Sequence, residues 1–166
     1  ADQQPDRYER PTRGTLELPE RRQTRFHEEY ASRLAADSLL WGWWIDGLSD
    51  YGSARRGGGL NGSGLVSFDR RTRKDAYYLY RALWNRREPT LHLAEKRWVE
   101  RPAAPQRLTV YASEGLEPLL TVNGDTVALE RYAPAIYRTA ELELGRESEA
   151  VVTAGALRDR ALIRCG

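Results

Sequence analysis

An apolar, tryptophan-rich run at residues 39–45 constrains the fold of this chain more than any other stretch. The run has no polar alternation, which is the pattern of a β-strand buried on both faces, as in a parallel sheet covered by helices. Such a strand needs a neighbour on each side, because an unpaired strand edge leaves backbone groups without partners. The run therefore predicts a buried strand within a sheet of several strands.

The end of this run and the polar, glycine-rich stretch that follows it contain the candidate binding residues. Tryptophan offers a flat apolar face on which a sugar ring can stack, and carboxylate, hydroxyl and amide groups bind sugar hydroxyls. We interpret the stretch as one wall of a sugar site; the alternative is that the tryptophans are core residues and the glycines form a connector. The candidate substrate-binding residues are Trp43, Trp44, Asp46, Asp50, Tyr51 and Asn61.

The segments on either side of this region have helical patterns. Residues 20–36 and 73–87 place apolar side chains at helical spacing, with charged residues between them. The order helix, buried strand, polar loop, helix is part of an alternating α/β architecture. We predict an extended lead-in at residues 1–19 and one structural unit at residues 20–88. The helix faces expected to cover the sheet contain Phe26, Tyr30 and Leu34 in the first helix and Tyr77, Tyr80 and Trp84 in the second.

The second half of the chain has the pattern of a β-sandwich, so the whole chain is predicted to be α+β. Asn123 and Gly124 predict a hairpin turn, because both residues tolerate positive φ angles. We predict a linker or first strands at residues 89–106 and a sandwich domain at residues 107–166. The predicted strands are residues 91–94, 97–100, 108–112, 119–122, 126–129, 137–144, 149–154 and 160–164.

Composition and charge limit the possible functions. The formal net charge is +2 and the arginines lie among acidic residues. The sequence therefore has no sustained basic face of the kind that binds nucleic acid, and no nucleic-acid partner is predicted. No apolar run approaches the roughly 18 residues of a membrane span, and no membrane partner is predicted. The single cysteine, Cys165, excludes an internal disulfide, and His27 and His92 lack the spaced partners of a metal site. We predict no metal and no cofactor.

The composition also bears on the origin of the chain. It contains no methionine, even at position 1, which indicates a processed or excised piece of a longer product. The sequence leaves the formation of a homo-oligomer open and does not determine the cellular compartment, although a periplasmic or secreted location is slightly favoured over a cytoplasmic one.

Two groups of residues occur in an order that is specific to one enzyme family. The first group is Phe26, His27, Glu28, Glu29 and Tyr30, followed by Leu40, Trp41, Gly42, Asp50 and Tyr51. The second group is Gly59, Leu60, Asn61, Gly64, Leu65, Val66, Asp69 and Arg70, then Lys74, Asp75, Ala76, Tyr77, Tyr78, Leu79, Tyr80 and Trp84. Together they resemble the C-terminal part of glycoside hydrolase family 2 enzymes of the β-galactosidase type.

This resemblance implies that residues 20–88 are the terminal slice of a (β/α)8 barrel and that an immunoglobulin-like sandwich follows. Family members hydrolyse O-glycosidic bonds with retention, using two carboxylates about 5 Å apart. The resemblance assigns both carboxylates to earlier barrel strands, so no catalytic residue is expected in this chain, which should be inactive alone. Glu28 and Glu29 cannot replace them, because adjacent helical residues point about 100° apart. The implied partners are a carbohydrate substrate and the upstream part of the same polypeptide.

Two departures from the family pattern bear on the substrate. Many members have a tryptophan in the wall of the sugar subsite where this chain has Asp46. In glucuronidase relatives an asparagine and a lysine two residues later bind the sugar carboxylate, whereas the matching residues here are Asn61 and Ser63. Serine offers no charge to a carboxylate, so the resemblance favours a neutral β-glycoside. The alternative function is a non-catalytic carbohydrate-binding or structural sandwich module at residues 107–166.

Overall fold

The structure, a computed structural model, describes residues 19–53 and 59–166. The described part is α+β, as predicted, and forms two compact units that meet in sequence at Tyr77 and Tyr78. Apart from Pro19, the predicted lead-in lies outside the described residues. The domain boundaries proposed at residues 88 and 106 stay predictions.

The first unit contains helix α1 (Pro19–Ala36), a hairpin of strands β1 (Tyr51–Ser53) and β2 (Gly59–Asn61), and the first turn of helix α2 (Asp75–Trp84). Both helices form where the apolar spacing predicted them. The N–H of Asp75 donates a 2.8 Å hydrogen bond to the Glu20 carboxylate, which satisfies one of the free amides at the start of α2. Neither described helix is long and apolar enough to cross a membrane.

The prediction of a buried strand at residues 39–45 is wrong. These residues form neither helix nor strand, and Trp41 and Trp44 are 99% and 86% exposed. In the described part of the unit, β1 and β2 pair only with each other, so the run has no sheet to join. Without a strand on either side, the run gains no ladder hydrogen bonds and its backbone stays irregular.

The buried face of α1 also differs from the prediction. Phe26 and Tyr30, which were expected to cover a sheet, are exposed, and their rings contact each other at a centroid distance of 4.3 Å. The face that packs into the unit is mainly polar, since its buried residues are Glu20, Gln23, Thr24, His27, Glu28 and Ala31. The loop beneath α1 presents backbone carbonyls to it, and polar side chains can bond to these groups whereas aromatic rings cannot.

The described part of the second unit contains the rest of α2 and nine strands in two sheets. One sheet has five strands in the order β4-β11-β10-β6-β7, and the other has four in the order β3-β5-β9-β8. Among the described strands of this unit, all pairings are antiparallel except the parallel pairing of β4 with β11. The strands are β3 (Leu91–Leu93), β4 (Glu100–Arg101), β5 (Thr109–Ala112), β6 (Leu119–Val122), β7 (Asp125–Val127), β8 (Glu130–Ala133), β9 (Ile136–Arg138), β10 (Glu147–Ala154) and β11 (Leu157–Cys165).

The two sheets share one apolar core. Strand β10 alternates buried and less buried residues along its length, the pattern of a strand with one face on a core. Val110 of one sheet packs in the same cluster as Leu120 and Ile163 of the other, and all three are fully buried. Burying a side chain of this size stabilises the fold by about 1.5–3 kcal/mol. The sandwich arrangement predicted from the alternating pattern is therefore present.

The turn between β6 and β7 confirms the hairpin prediction. Asn123 and Gly124 have φ angles of 52° and 93°, which is the pair of positive values that a two-residue hairpin turn requires. Strand β8 was missed, and the predicted strand at residues 137–144 is limited to its beginning, since β9 ends at Arg138.

Candidate functional site

The hairpin of the first unit brings two of the predicted site residues together. Tyr51 and Asn61 are cross-strand partners, and Asn61 Nδ2 donates a 2.8 Å hydrogen bond to Tyr51 Oη. Tyr51 is 48% exposed and Asn61 is half-buried. We call this pair the Tyr51–Asn61 corner. It presents polar side-chain groups to solvent on a backbone held by strand pairing.

The corner keeps hydrogen-bonding capacity for a ligand. Asn61 Oδ1 accepts a 3.0 Å hydrogen bond from the Ser63 N–H, and one of the two Nδ2 hydrogens is directed at Tyr51. The second amide hydrogen and the hydroxyl proton of Tyr51 are left to donate elsewhere. Two neighbouring donors suit an oxygen acceptor, such as a sugar hydroxyl or a carboxylate.

A buried ion pair lies beneath the turn that follows Asn61. Lys74 Nζ is 2.8 Å from Asp50 Oδ1, and each of these side chains is 2% exposed. Lys74 Nζ also donates to the carbonyl oxygen of Gly62 at 2.6 Å, and the Gly64 N–H donates to Asp50 Oδ1 at 2.9 Å. The pair is therefore bonded to the turn at residues 61–64 through both of its members.

Helix α1 holds the same turn from another direction. Gln23 Nε2 donates to the carbonyl oxygens of Ser63 and Gly64, each at 2.8 Å. Gly64 lies against the backbone of Ser49 and Asp50. A Cβ added at position 64 would be 2.2 Å from the Asp50 nitrogen and from the carbonyl carbon of Ser49. Since no side chain fits at this approach, glycine is required at position 64.

Electrostatics beneath the turn favour a single positive charge. Burial and the nearby Lys74 ammonium lower the pKa of His27 from 6.5 to about 4. His27 is therefore neutral at pH 7, which avoids a second positive charge beside Lys74. Within the described ranges, no group of three or more His, Cys, Asp or Glu side chains is placed to hold a metal ion.

The other predicted site residues have different environments. Asp50, expected to accept a sugar hydroxyl, is buried and bonded to Lys74 and the Gly64 N–H. Trp43 is half-buried, and Trp44 and Asp46 are exposed on the irregular segment. In the part of the chain that the structure describes, no hydrogen bond or ring contact joins Trp44 or Asp46 to the Tyr51–Asn61 corner.

Sequence reasoning missed the roles of Gln23 and Lys74. Lys74 belongs to the second motif group quoted above, but its charge gives no sign that the side chain is buried under the turn. Gln23 lies 41 residues from Gly64, so no local pattern connects the two. A buried lysine needs a partner of opposite charge, but Asp50 lies 24 residues before Lys74, so no local pattern in the sequence signals the pair either.

Comparisons with known proteins show that the chain is similar to portions of several glycosidases. A β-glucuronidase of Bacteroides fragilis is 33% identical over 159 residues, which cover 92% of this chain and 23% of the relative. The crystal structure of an FMN-binding β-glucuronidase from Facaelibacterium prausnitzii L2-6 matches with a TM-score of 0.77 at 26% identity, over 89% of this chain and 23% of that one. A Bacteroides fragilis protein assigned as a β-galactosidase matches with a TM-score of 0.78 at 25% identity, over 93% of this chain and 24% of that one.

No family model matches the chain. The chain spans 23% of the length of the curated relative it matches, so the comparisons concern a portion of each enzyme.

Proposed function

Because the chain is related to the β-glucuronidases and β-galactosidases of glycoside hydrolase family 2, as its motifs indicated, we propose that it is the C-terminal portion of a retaining glycoside hydrolase. Hydrolysis of O-glycosidic bonds is proposed for the longer polypeptide, since the match covers 23% of the relative. In this proposal the present chain supplies one wall of the sugar site and none of the catalytic carboxylates.

The observation on which the proposal depends is the chemistry of the Tyr51–Asn61 corner. Asn61 occupies the motif position that the family resemblance assigns to sugar binding. Its side chain has one hydrogen left to donate after bonding to Tyr51, and the Tyr51 hydroxyl adds a second donor. Convergent donors of this kind fix the orientation of a sugar in a site whose walls are otherwise apolar.

The tryptophan segment, defined as residues 39–48, supports the same proposal. Leu39, Trp41, Trp44 and Leu48 are all largely exposed, although apolar surface of this extent is usually covered in a functional protein. We propose that the remainder of the longer polypeptide covers it and supplies the neighbouring strands of a (β/α)8 barrel. Trp43, Trp44 and Asp46 would then join the corner as parts of one sugar-facing wall.

The proposed substrate is a neutral β-glycoside, and a β-glucuronide is the alternative. The names of two of the relatives favour the glucuronide. Binding of a uronate carboxylate would be strengthened by a cation, yet Ser63 carries no charge. Lys74 cannot replace the missing cation, because its ammonium is buried and bonded to Asp50 and Gly62. Among the described residues bonded to the corner or to its turn, none therefore offers a free cation, which supports the neutral substrate.

The sandwich has one exposed aromatic residue that could act in a carbohydrate-binding module. Tyr132 is exposed, but the Arg138 guanidinium lies 3.7 Å from the centre of its ring and covers one face. Only one face of this ring is then open to a sugar, and no second exposed aromatic side chain lies among the described residues of the sandwich to extend the stacking surface. We therefore assign the sandwich a structural role.

The test uses the longer polypeptide and the isolated 166-residue chain, each assayed with p-nitrophenyl β-D-galactopyranoside and p-nitrophenyl β-D-glucuronide. We expect the longer protein to favour the galactoside and the isolated chain to show no turnover. In the longer protein, Asn61→Ala should lower kcat/KM about tenfold, the effect of losing one hydrogen bond of about 1–1.5 kcal/mol.

Asn85→Ala serves as the matched control, because in the described hydrogen bonds the Asn85 side chain accepts only from the N–H groups of Arg87 and Glu88 in its own loop. Its activity should equal that of the unaltered protein. Turnover by the isolated chain would contradict the absence of catalytic residues, and a preference for the glucuronide would replace the neutral substrate by the alternative.

A further inference from the structure

We propose that Asp50 and Lys74 are positioning residues whose buried ion pair holds the turn at residues 61–64 and thereby aims the Asn61 side chain. The inference deepens the proposed function and depends on it in one respect, namely that the Tyr51–Asn61 corner contacts the sugar. Asp50 is thereby moved from direct substrate contact to a supporting role.

The first step is the link between the ion pair and the turn. Asp50 Oδ1 accepts hydrogen bonds from Lys74 Nζ and from the N–H of Gly64, at 2.8 and 2.9 Å. Lys74 Nζ donates in addition to the carbonyl oxygen of Gly62 at 2.6 Å. Charge-assisted hydrogen bonds away from water are strong and directional, so the residues before and after Ser63 are fixed relative to the pair.

The second step is the link between the turn and Asn61. The Ser63 N–H donates to Asn61 Oδ1 at 3.0 Å, so the orientation of the amide depends on where Ser63 lies. Ser63 itself is held between Gly62 and Gly64, and its carbonyl oxygen accepts from Gln23. With Oδ1 directed at Ser63, the Nδ2 group on the other side of the amide is directed at Tyr51 Oη.

The third step concerns the accessibility of the ion pair. Both side chains are buried, and the Asp50 oxygen that faces the turn already accepts two hydrogen bonds. A sugar hydroxyl could bond to this oxygen only by displacing Lys74 or Gly64, which would leave a buried charge or amide unpaired. The pair therefore acts on a ligand through Asn61 and Tyr51.

The test is NMR spectroscopy of the ¹⁵N-labelled 166-residue chain, read at the Asn61 side-chain amide and at the Gly64 N–H. The main variant is the double substitution Asp50→Asn with Lys74→Met. It removes both buried charges at once, so no uncompensated charge forces the unit open. Lys74→Arg is the conservative variant, since it keeps a positive charge and donors at position 74.

In the double variant we expect hydrogen exchange at Gly64 to accelerate at least tenfold and the Asn61 side-chain resonances to move toward those of an unstructured chain. The spectrum of the Lys74→Arg variant should resemble that of the unaltered chain more closely than the spectrum of the double variant does. Ala76→Gly is the control, because Ala76 is buried at the start of α2 and the substitution weakens the helix without removing a bond to the turn. This control should leave the Asn61 resonances in place.

A folded double variant with unchanged Asn61 resonances and an unchanged Gly64 exchange rate would overturn the positioning role. A titration of the longer polypeptide with methyl β-D-galactopyranoside separates this result from a failure of the proposed function. We expect the sugar to shift the Asn61 side-chain resonances of the unaltered longer polypeptide and to lose this effect when that polypeptide carries the double substitution. The absence of a sugar-induced shift in the unaltered longer polypeptide would contradict sugar binding at the corner, while the Asn61 and Gly64 readouts in the 166-residue chain still decide the positioning role.

Discussion

The two units of this chain have opposite interiors. The second unit surrounds an apolar core in which Val110, Leu120 and Ile163 are fully buried. The first unit encloses an ion pair and polar side chains beneath a turn, while Trp41 and Trp44 are exposed. Apolar burial stabilises a fold roughly in proportion to its area, whereas a buried ion pair gains little beyond the cost of its desolvation.

This contrast indicates that the units depend differently on their surroundings. The sandwich buries its large apolar residues within itself and should be stable as part of this chain. The first unit has a polar network that specifies the geometry of one turn, and it leaves apolar surface that another part of a longer polypeptide could cover. The comparison can be tested by changing each interior and each surface separately.

The largest effect is expected for Ile163→Ala in the core of the sandwich. Removing a fully buried isoleucine side chain leaves a cavity and should lower the free energy of unfolding by about 2–5 kcal/mol. Leu162→Ala is the control, because Leu162 is the neighbouring residue of β11 and is partly exposed. Urea denaturation, monitored through hydrogen exchange of the amides in β10 and β11, would measure the free energy of unfolding of both variants. A similar loss for the two variants would show that the core is not the main source of stability.

An intermediate effect is expected for the first unit at acidic pH. The pKa of His27 is about 4 in the folded state and 6.5 when unperturbed, so between these values the unfolded chain binds a proton that the folded chain does not. Stability should therefore fall as the pH is lowered from 6.5 to 4, by about 3 kcal/mol in total, with no further loss from His27 below pH 4.

His27→Gln isolates this contribution, because glutamine does not titrate. Denaturation of both proteins at several pH values between 7 and 4, monitored through hydrogen exchange of the amides in α1, gives the difference in the free energy of unfolding that His27 contributes. Equal pH dependence in the variant and the unaltered chain would contradict the lowered pKa of His27.

The smallest effect is expected for Trp41→Ala in the isolated chain. Trp41 is almost completely exposed, so its removal should change the free energy of unfolding by less than about 0.5 kcal/mol. In the longer polypeptide the same substitution should cost several times more, because the proposed cover would bury the ring. A loss well above 1 kcal/mol in the isolated chain, measured by thermal or urea denaturation, would show that the tryptophan segment packs within the chain itself.

Local elements were largely predictable from the sequence, and so was the relation to glycoside hydrolase family 2. The sequence predicts Tyr51 and Asn61 as binding residues, and the structure brings these two side chains together. Their contact with a sugar, like that of Trp43, Trp44 and Asp46, stays a prediction. The burial of Asp50 was not foreseen, because an aspartate in a glycine-rich loop has the same local pattern whether it faces solvent or a lysine.

Apolar spacing and φ preferences act within a few residues, so they account for both described helices, most strands of the sandwich and the turn at Asn123 and Gly124. The irregular backbone of residues 39–45, the polar buried face of α1 and the pairing of Asp50 with Lys74 arise instead from long-range contacts. These features depend on partners that are distant in sequence: Asp50 and Lys74 are 24 residues apart, and Gln23 and Gly64 are 41 apart. A buried polar group is stable only where such a partner meets it, and a strand forms only where another strand lies beside it.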